Sequence, residues 1–315
     1  MTPSSAEVAR FAADLDALAP AGTLAVAVSG GPDSLALLLL AAAARPRAVI
    51  AGTVDHGLRA ESVAEASAVA GLCAALDVPH TTLRVTIADD RAGLQAAARQ
   101  ARYAALEPWA VRAGAAAVAT AHHLDDQAET LLMRLARGAG IGGLTGIRPS
   151  RPLGRTLLIR PMLGWRRAEL AAIVRRAGLV AADDPSNRDP RFDRTRARAL
   201  LGGGYPDPTR LAAAAAHLRE AEEALAFAAE ALFATRYKPD GRGAALDVEG
   251  LPRELARRLM VSALAAMEAP AARGDEVDRL LTRLEEGLTS TLAGIRIAPG
   301  PPWRLSRAAP HRRAR

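Results

Sequence analysis

Apolar residues run along this chain in two alternating patterns. Short aliphatic or β-branched runs at 23–30 (TLAVAVSG), 48–56 (AVIAGTVDH), 80–87 (HTTLRVTI) and 116–123 (AAVATAHH) have the length and composition of strands. Helical patterns fill the gaps at Ser34–Ala44, Glu61–Asp77 and Leu94–Gly114. TLLIRPML (156–163) supplies a fifth strand, and the helical RRAELAAIVRRAGL follows it. This alternation predicts βαβ units, hence an α/β fold with a doubly wound, mainly parallel sheet. Ligands of such sheets sit beyond the carboxyl ends of the strands.

The alternation stops near Asp184. DDPSNRDPRFDRTRARALL is polar and rich in arginine, and GGGYPDP (202–208) reads as a hinge. Beyond it, Leu211, Leu218, Leu225 and Leu232 fall on one face of a long helix over Thr209–Phe233. Pro252–Met267 and Asp275–Leu288 are also helical in pattern, and TLAGIRIAPGPPWRLS (291–306) reads as a hairpin. The expected organisation is a catalytic domain over 1–207 and a smaller α-rich domain over 208–315.

Composition sharpens the picture at three points. Half the residues are hydrophobic but only 3% are aromatic, so the core must be aliphatic and alanine-rich. The net charge of +7 permits a polyanionic partner, or reflects arginine-rich coding, Lys238 being the only lysine. A single cysteine, Cys73, excludes internal disulfides, CxxC redox chemistry and thiolate zinc sites, and is expected to pack within a helix. The N-terminal segment carries Asp14 and Asp16 and lacks a basic start, so no signal peptide is expected. The longest apolar run, Leu35–Ala44, is about half a membrane span. A soluble, cytoplasmic protein is expected.

The candidate chemistry begins in LAVAVSGGPDSLALLLL (24–40). The loop lacks the lysine of a GxxxxGK[ST] phosphate loop, and Gly30–Gly31 has the wrong spacing for a GxGxxG fingerprint. What remains is a strand–SGGxDS–helix unit, whose backbone amides can form a nest for a phosphate-type anion. Ser29 and Ser34 can add hydroxyl donors to Gly30, Gly31 and Pro32, while Asp33 is suited to Mg²⁺ rather than to phosphate. The alternative is an ordinary βα turn with a capping Asp or Ser.

SGGxDS resembles the pyrophosphate loop (PP-loop) of the N-type ATP pyrophosphatases, which adenylate an oxygen and release pyrophosphate. Further motifs select a branch. VDHGLR (54–59) ends the second strand and resembles the lysidine synthase and thiolase branch, where this position lies beside the adenine. That implies Val54 and His56 for nucleotide binding, although His56 alone also reads as a solvated loop residue. In AHHLDDQAETLLMRLARG (121–138), Ala128, Leu131, Leu132, Leu135 and Ala136 form an apolar stripe, with Asp126, Glu129 and Thr130 on the other face. Such acids either complement the helix dipole or line the cleft. The segment matches the pattern His-x-x-Asp-Asp-x-x-Glu-Thr of the tRNA(Ile)-lysidine synthase family, its first histidine falling on His122 or His123. GAGIGGLTGIRP (138–149), LIRPML (158–163) and DPSNRDPRFDRTRAR (184–198) are similar to later blocks of that family, with Thr195 where asparagine is common. Arg194 and Arg198 share a helical face there, with Arg196 opposite.

The resemblance covers residues 20–200. It implies a ligase that takes ATP and Mg²⁺ and modifies the wobble cytidine of CAU-anticodon tRNA(Ile) with free L-lysine. Asp33 would hold the metal, Asp126 and Glu129 would hold lysine and take its proton, and Arg194, Arg196 and Arg198 would meet tRNA or ATP phosphates, Arg198 close to the chemistry. The C-terminal domain would contribute to tRNA binding, and the second C-terminal domain of longer members is expected to be absent. A homodimer is left open. Three other readings compete: a tRNA thiolase, which would need more cysteines; an amidotransferase-like ligase, which would need a glutaminase domain; and a non-catalytic tRNA-binding module with a relict loop.

Overall fold

A computed structural model describes residues 2–19, 21–55, 57, 61–86, 94–182, 193–241 and 243–308; the side chains of 61, 62 and 94–96 are likewise not described. By contact density the chain divides into two compact units, Met1–Leu218 and Arg219–Arg315.

The first unit opens with α1 (Ser5–Asp16), started by a capping box in which Ser4 and Glu7 satisfy each other's backbone amides. Then come β1 (Leu24–Ala27), α2 (Pro32–Ala44), β2 (Val49–Asp55), α3 (Glu61–Ala75), β3 (His80–Arg84), α4 (Leu94–Arg112), β4 (Ala117–Ala119), α5 (Leu124–Leu135) and α6 (Ile141–Leu144). A hairpin of β5 (Ser150–Leu153) and β6 (Thr156–Ile159), then α7 (Arg167–Arg176) and α8 (Asp193–Gly202), complete the site-bearing part. The strands order as β3-β2-β1-β4-β6-β5, parallel except for β5, which pairs antiparallel with β6. The expected doubly wound sheet is therefore present, with one antiparallel edge strand added. The order reverses between β1 and β4, and this switch point is where such a sheet opens a crevice for ligand.

The helix after β1 is buried nearly all round. Residues Leu35–Ala41 of α2 are fully enclosed, between the sheet on one side and α1 and α7 on the other. Its apolar side chains therefore repeat without a polar face, as a central helix requires. On the opposite face of the sheet, Leu106, Trp109 and Ala110 of α4 pack on Ala25, Val118 and Leu158. Gly52 belongs to this contact, because an added Cβ would lie 2.8 Å from the Trp109 ring. Cys73 is wholly buried among aliphatic side chains of α3 and the sheet, as its single occurrence suggested.

The second unit begins inside α9 (Pro208–Arg236) and continues with β7 (Tyr237–Asp240), β8 (Gly243–Leu246), α10 (Arg253–Ala266), α11 (Gly274–Glu285), β9 (Ser290–Leu292), β10 (Ile295–Ala298) and β11 (Trp303–Arg307). The predicted leucine face of α9 is its more buried side, with Ala215 and Ala229 enclosed between the leucines. The strands form an antiparallel sheet in the order β7-β8-β11-β10-β9, with α10 and α11 closing its core around Leu259, Leu281 and Trp303. The helices expected of an α-rich unit are present and pack on this sheet, of which only the β10–β11 region was visible in the sequence as a hairpin. No described helix is long and apolar enough to cross a membrane.

Candidate active site

β1 ends at Ala27, and the chain turns through Ser29–Gly31 into α2. Gly30 adopts a φ of +82°, which a side chain would disfavour, and its carbonyl accepts from the Ala182 amide at 3.0 Å. Gly31 is the N-cap of α2 and offers no side-chain cap, so the first-turn amides of Asp33 and Ser34 face outward at the positive end of the helix dipole. The two serines differ in role. Ser34 is buried; its hydroxyl donates to the Gly31 carbonyl at 2.8 Å and accepts from the Ser29 amide at 3.1 Å and the Ser29 hydroxyl at 3.2 Å. Ser34 therefore braces the loop, while Ser29 is exposed at its mouth.

β4 delivers the second half of the site. Directly after it, His123 is the N-cap of α5 and exchanges hydrogen bonds with Asp126: its Nδ1 accepts from the Asp126 amide at 3.4 Å, and its own amide donates to Asp126 Oδ2 at 3.1 Å. With Nδ1 accepting, the ring presents Nε2 to Asp33 Oδ2 at 3.5 Å and to Asp126 Oδ2 at 3.6 Å. The adjacent acid, Asp125, turns away to accept from the Arg167 amide at 2.8 Å, capping α7. The Asp-Asp pair thus divides into a structural member and a cleft member.

One turn along α5, Glu129 is 1% exposed and takes two guanidiniums from α8. Arg194 Nε donates to Oε2 at 2.9 Å and Arg198 Nε to Oε1 at 2.8 Å, while Arg194 also lies 3.4 Å from Asp126 Oδ1. A continuous chain of alternating charge results: Asp33, His123, Asp126, Arg194, Glu129, Arg198. Arg196 is not part of it. It sits on the far side of α8, paired with Asp193, which also binds Arg137. Val54 lies near the end of β2, two residues beyond the position paired with the end of β1. His56 and residues 184–192 fall outside the described residues.

The electrostatics separate two neighbouring histidines. For His123, burial opposes the proton but the carboxylates of Asp33, Asp126 and Asp125 outweigh it, so its pKa is raised. For His122, burial acts with the charges of Arg160, Arg99 and Arg194 against a weaker pull from Asp126, and the pKa falls to about 3. Burial raises the Asp126 pKa, but His123, Arg194 and His122 more than offset it, so its carboxyl stays ionised. His122 is accordingly expected to show no titration of its ring resonances by NMR between pH 8 and 5. Its folded value lies below the unfolded one of about 6.5, so the unfolded chain binds the extra proton. Its contribution to stability is lost as pH falls from about 6.5 towards 3, and a midpoint near 6.5 would refute the assignment.

The fit to a divalent cation rests on Asp33. Its Oδ1 is buried with no hydrogen-bond partner, an orphaned acceptor beside a nest of amides. Among the described residues there is no cluster of three or more metal-ligating side chains. One carboxylate is nonetheless enough for Mg²⁺, which takes its remaining ligands from phosphates and water.

Comparison with known proteins fits this geometry. A model of the PP-loop domain matches residues 2–203. A tRNA(Ile)-lysidine synthase of Novosphingobium aromaticivorans is 47% identical over 313 residues, covering 98% of this chain and 96% of that protein. The chain belongs to the tRNA(Ile)-lysidine synthase family. Another relative of that name, from Zymomonas mobilis, is 42% identical and covers 93% of this chain and 91% of its own length. Among solved structures, the U34-tRNA thiolase of Methanococcus maripaludis superposes with a TM-score of 0.56 at 17% identity, over 68% of this chain and 78% of that one, which shows a shared fold. For a lysidine synthase family member, the residue that sequence reasoning passed over is His123. Its signal was the ambiguous first histidine of the His-x-x-Asp-Asp pattern, and the structure gives each candidate histidine a distinct environment.

Proposed function

We propose that the chain ligates lysine to C2 of the wobble cytidine in CAU-anticodon tRNA(Ile), using ATP and releasing pyrophosphate and AMP. The observation that carries this reading is the buried carboxylate pair of Asp126 and Glu129, set one histidine away from the phosphate nest. Two buried carboxyl groups, Asp126 among them kept ionised by His123 and Arg194, suit an ammonium group, and the nest beside them suits a departing pyrophosphate.

The nest amides of Asp33 and Ser34 and the dipole of α2 would orient the triphosphate, with Ser29 at its edge. The C2 oxygen of cytosine attacks the α-phosphorus, forming a C–O–P linkage as the bond to pyrophosphate breaks. Mg²⁺, held by Asp33, would neutralise phosphate charge. The ε-amine of lysine then attacks C2, the C2–O bond to AMP breaks, and the amine's proton passes to Asp126 or Glu129. Arg198, bonded to Glu129, fixes that carboxylate for the transfer. The sole cysteine is enclosed, its thiol pushed up to about 11 by burial, which supports ligation over a thiolase reading.

The test is AMP release measured with lysine and CAU-anticodon tRNA(Ile) supplied together and singly. Joint dependence is expected. AMP formation indifferent to lysine would overturn the reading.

A further inference from the structure

A second cluster of cations lies on the α4 face of the sheet, apart from the acid–arginine chain. Arg160 follows β6 and is 3% exposed. It shares the sheet face of Leu158, two residues earlier, which packs under α4. One guanidinium nitrogen donates to the Arg148 carbonyl at 2.6 Å, Tyr103 of α4 supplies a side-chain hydrogen bond, and Nε is buried without a partner. Two further guanidiniums gather on the same tyrosine: Arg99 lies 5.2 Å from the ring centroid and Arg151, at the start of β5, lies 4.8 Å from it. None of the three arginines has a carboxylate partner among the described residues.

Three like charges around one ring repel one another, and a cation–π contact returns only about 0.5–1 kcal/mol each at an exposed site. A buried guanidinium with an unfilled donor adds a further cost. Such an arrangement is explained when an anion completes it. The contrast with α8 is direct. Arg194 and Arg198 are already matched by Glu129, whereas Arg99, Arg151 and Arg160 have no such carboxylate among the described residues. The cluster also adjoins the site, since Arg160 and Arg99 both act on His122.

We propose that Arg99, Tyr103, Arg151 and Arg160 form a binding site for the phosphodiester backbone of the single-stranded RNA that presents the target base. This rests on the reading of the chain as a tRNA-modifying enzyme. The nest at Gly30–Ser34 provides for the nucleotide triphosphate, so a second, separate anion site is what a polynucleotide substrate adds. The cluster lies at the β5 edge of the sheet, where a strand of RNA can pass without crossing the fold. Guanidinium forks held by a ring suit phosphate oxygens, and they position the substrate without reading sequence.

The experiment measures binding of CAU-anticodon tRNA(Ile) to the full chain across a salt series, with ATP affinity measured in parallel. The Arg99→Gln/Arg151→Gln double variant is expected to bind tRNA about 10- to 100-fold more weakly at low salt. Its log–log salt slope should be shallower by about 1.4, each single-strand phosphate contact contributing roughly 0.7. Arg99→Lys/Arg151→Lys should restore the slope but only part of the affinity, because charge is kept and the fork is lost. Unchanged tRNA affinity and slope in the Gln variant would overturn the proposal and make the cluster an internal brace. Loss of ATP affinity with tRNA binding intact would overturn it in favour of a nucleotide-phosphate site. Failure of the unmodified protein to bind tRNA at all would overturn the functional reading beneath it.

Discussion

Glu129→Gln is expected to slow lysine-dependent AMP release by about 10²–10⁴, the range for removing a general base, while pyrophosphate release from ATP and tRNA persists. The separation follows from geometry. Glu129 does not touch the phosphate nest; its two oxygens are occupied by Arg194 and Arg198. The amide keeps one acceptor but loses the charge, so Arg198 is left without its carboxylate while Arg194 keeps Asp126 at 3.4 Å. Both arginines are about a third or more exposed, and solvent screens them, so the loss of stability should be only about 1–2 kcal/mol. Quench-flow with labelled ATP and labelled lysine distinguishes the two steps. A variant that forms lysidine at the unmodified rate would remove Glu129 from the chemistry.

Asp33→Ala should act on the other step. Pyrophosphate release is expected to fall by about 10³, with tRNA affinity close to unchanged. Asp33 brings the orphaned Oδ1 to the nest and also contributes to the raised pKa of His123. Its loss therefore removes the carboxylate proposed to hold the cation and one of three carboxylates around that ring. Full turnover by this variant would refute the role given to the loop. Together the two variants test the proposal that adenylation and amine attack occur at opposite ends of one chain of side chains.

How much of this was legible in the sequence varies with the range of the interaction. Strand–helix alternation and the SGGxDS turn are local patterns, and they located the sheet and the nest. β5 escaped because Pro152 and Arg151 break the strand pattern, and because an edge strand tolerates a proline that a central strand does not. The C-terminal sheet escaped because YKPD and GAAL, β7 and β8, carry little β-branched or aromatic character; β8 pairs with Trp303 and Leu305 of β11, distant in sequence, and β7 in turn pairs with β8. At the site, helical spacing put Asp126 with Glu129 and Arg194 with Arg198. It could not show that the two pairs bind each other, because that contact joins residues 65 and 69 positions apart. The opposite fates of Asp125 and Asp126, adjacent in sequence, were likewise decided by what α7 brings to one of them.

The lone thiol has a practical consequence for following this enzyme at work. Cys73 is sealed inside the first unit and is a poor nucleophile near neutral pH. A cysteine introduced at Arg196, whose side chain is exposed and turned away from Glu129, would therefore react alone with a maleimide dye. The protein comes with a silent background for fluorescence, so a dye on α8 can report on substrate binding without first stripping native cysteines from the chain.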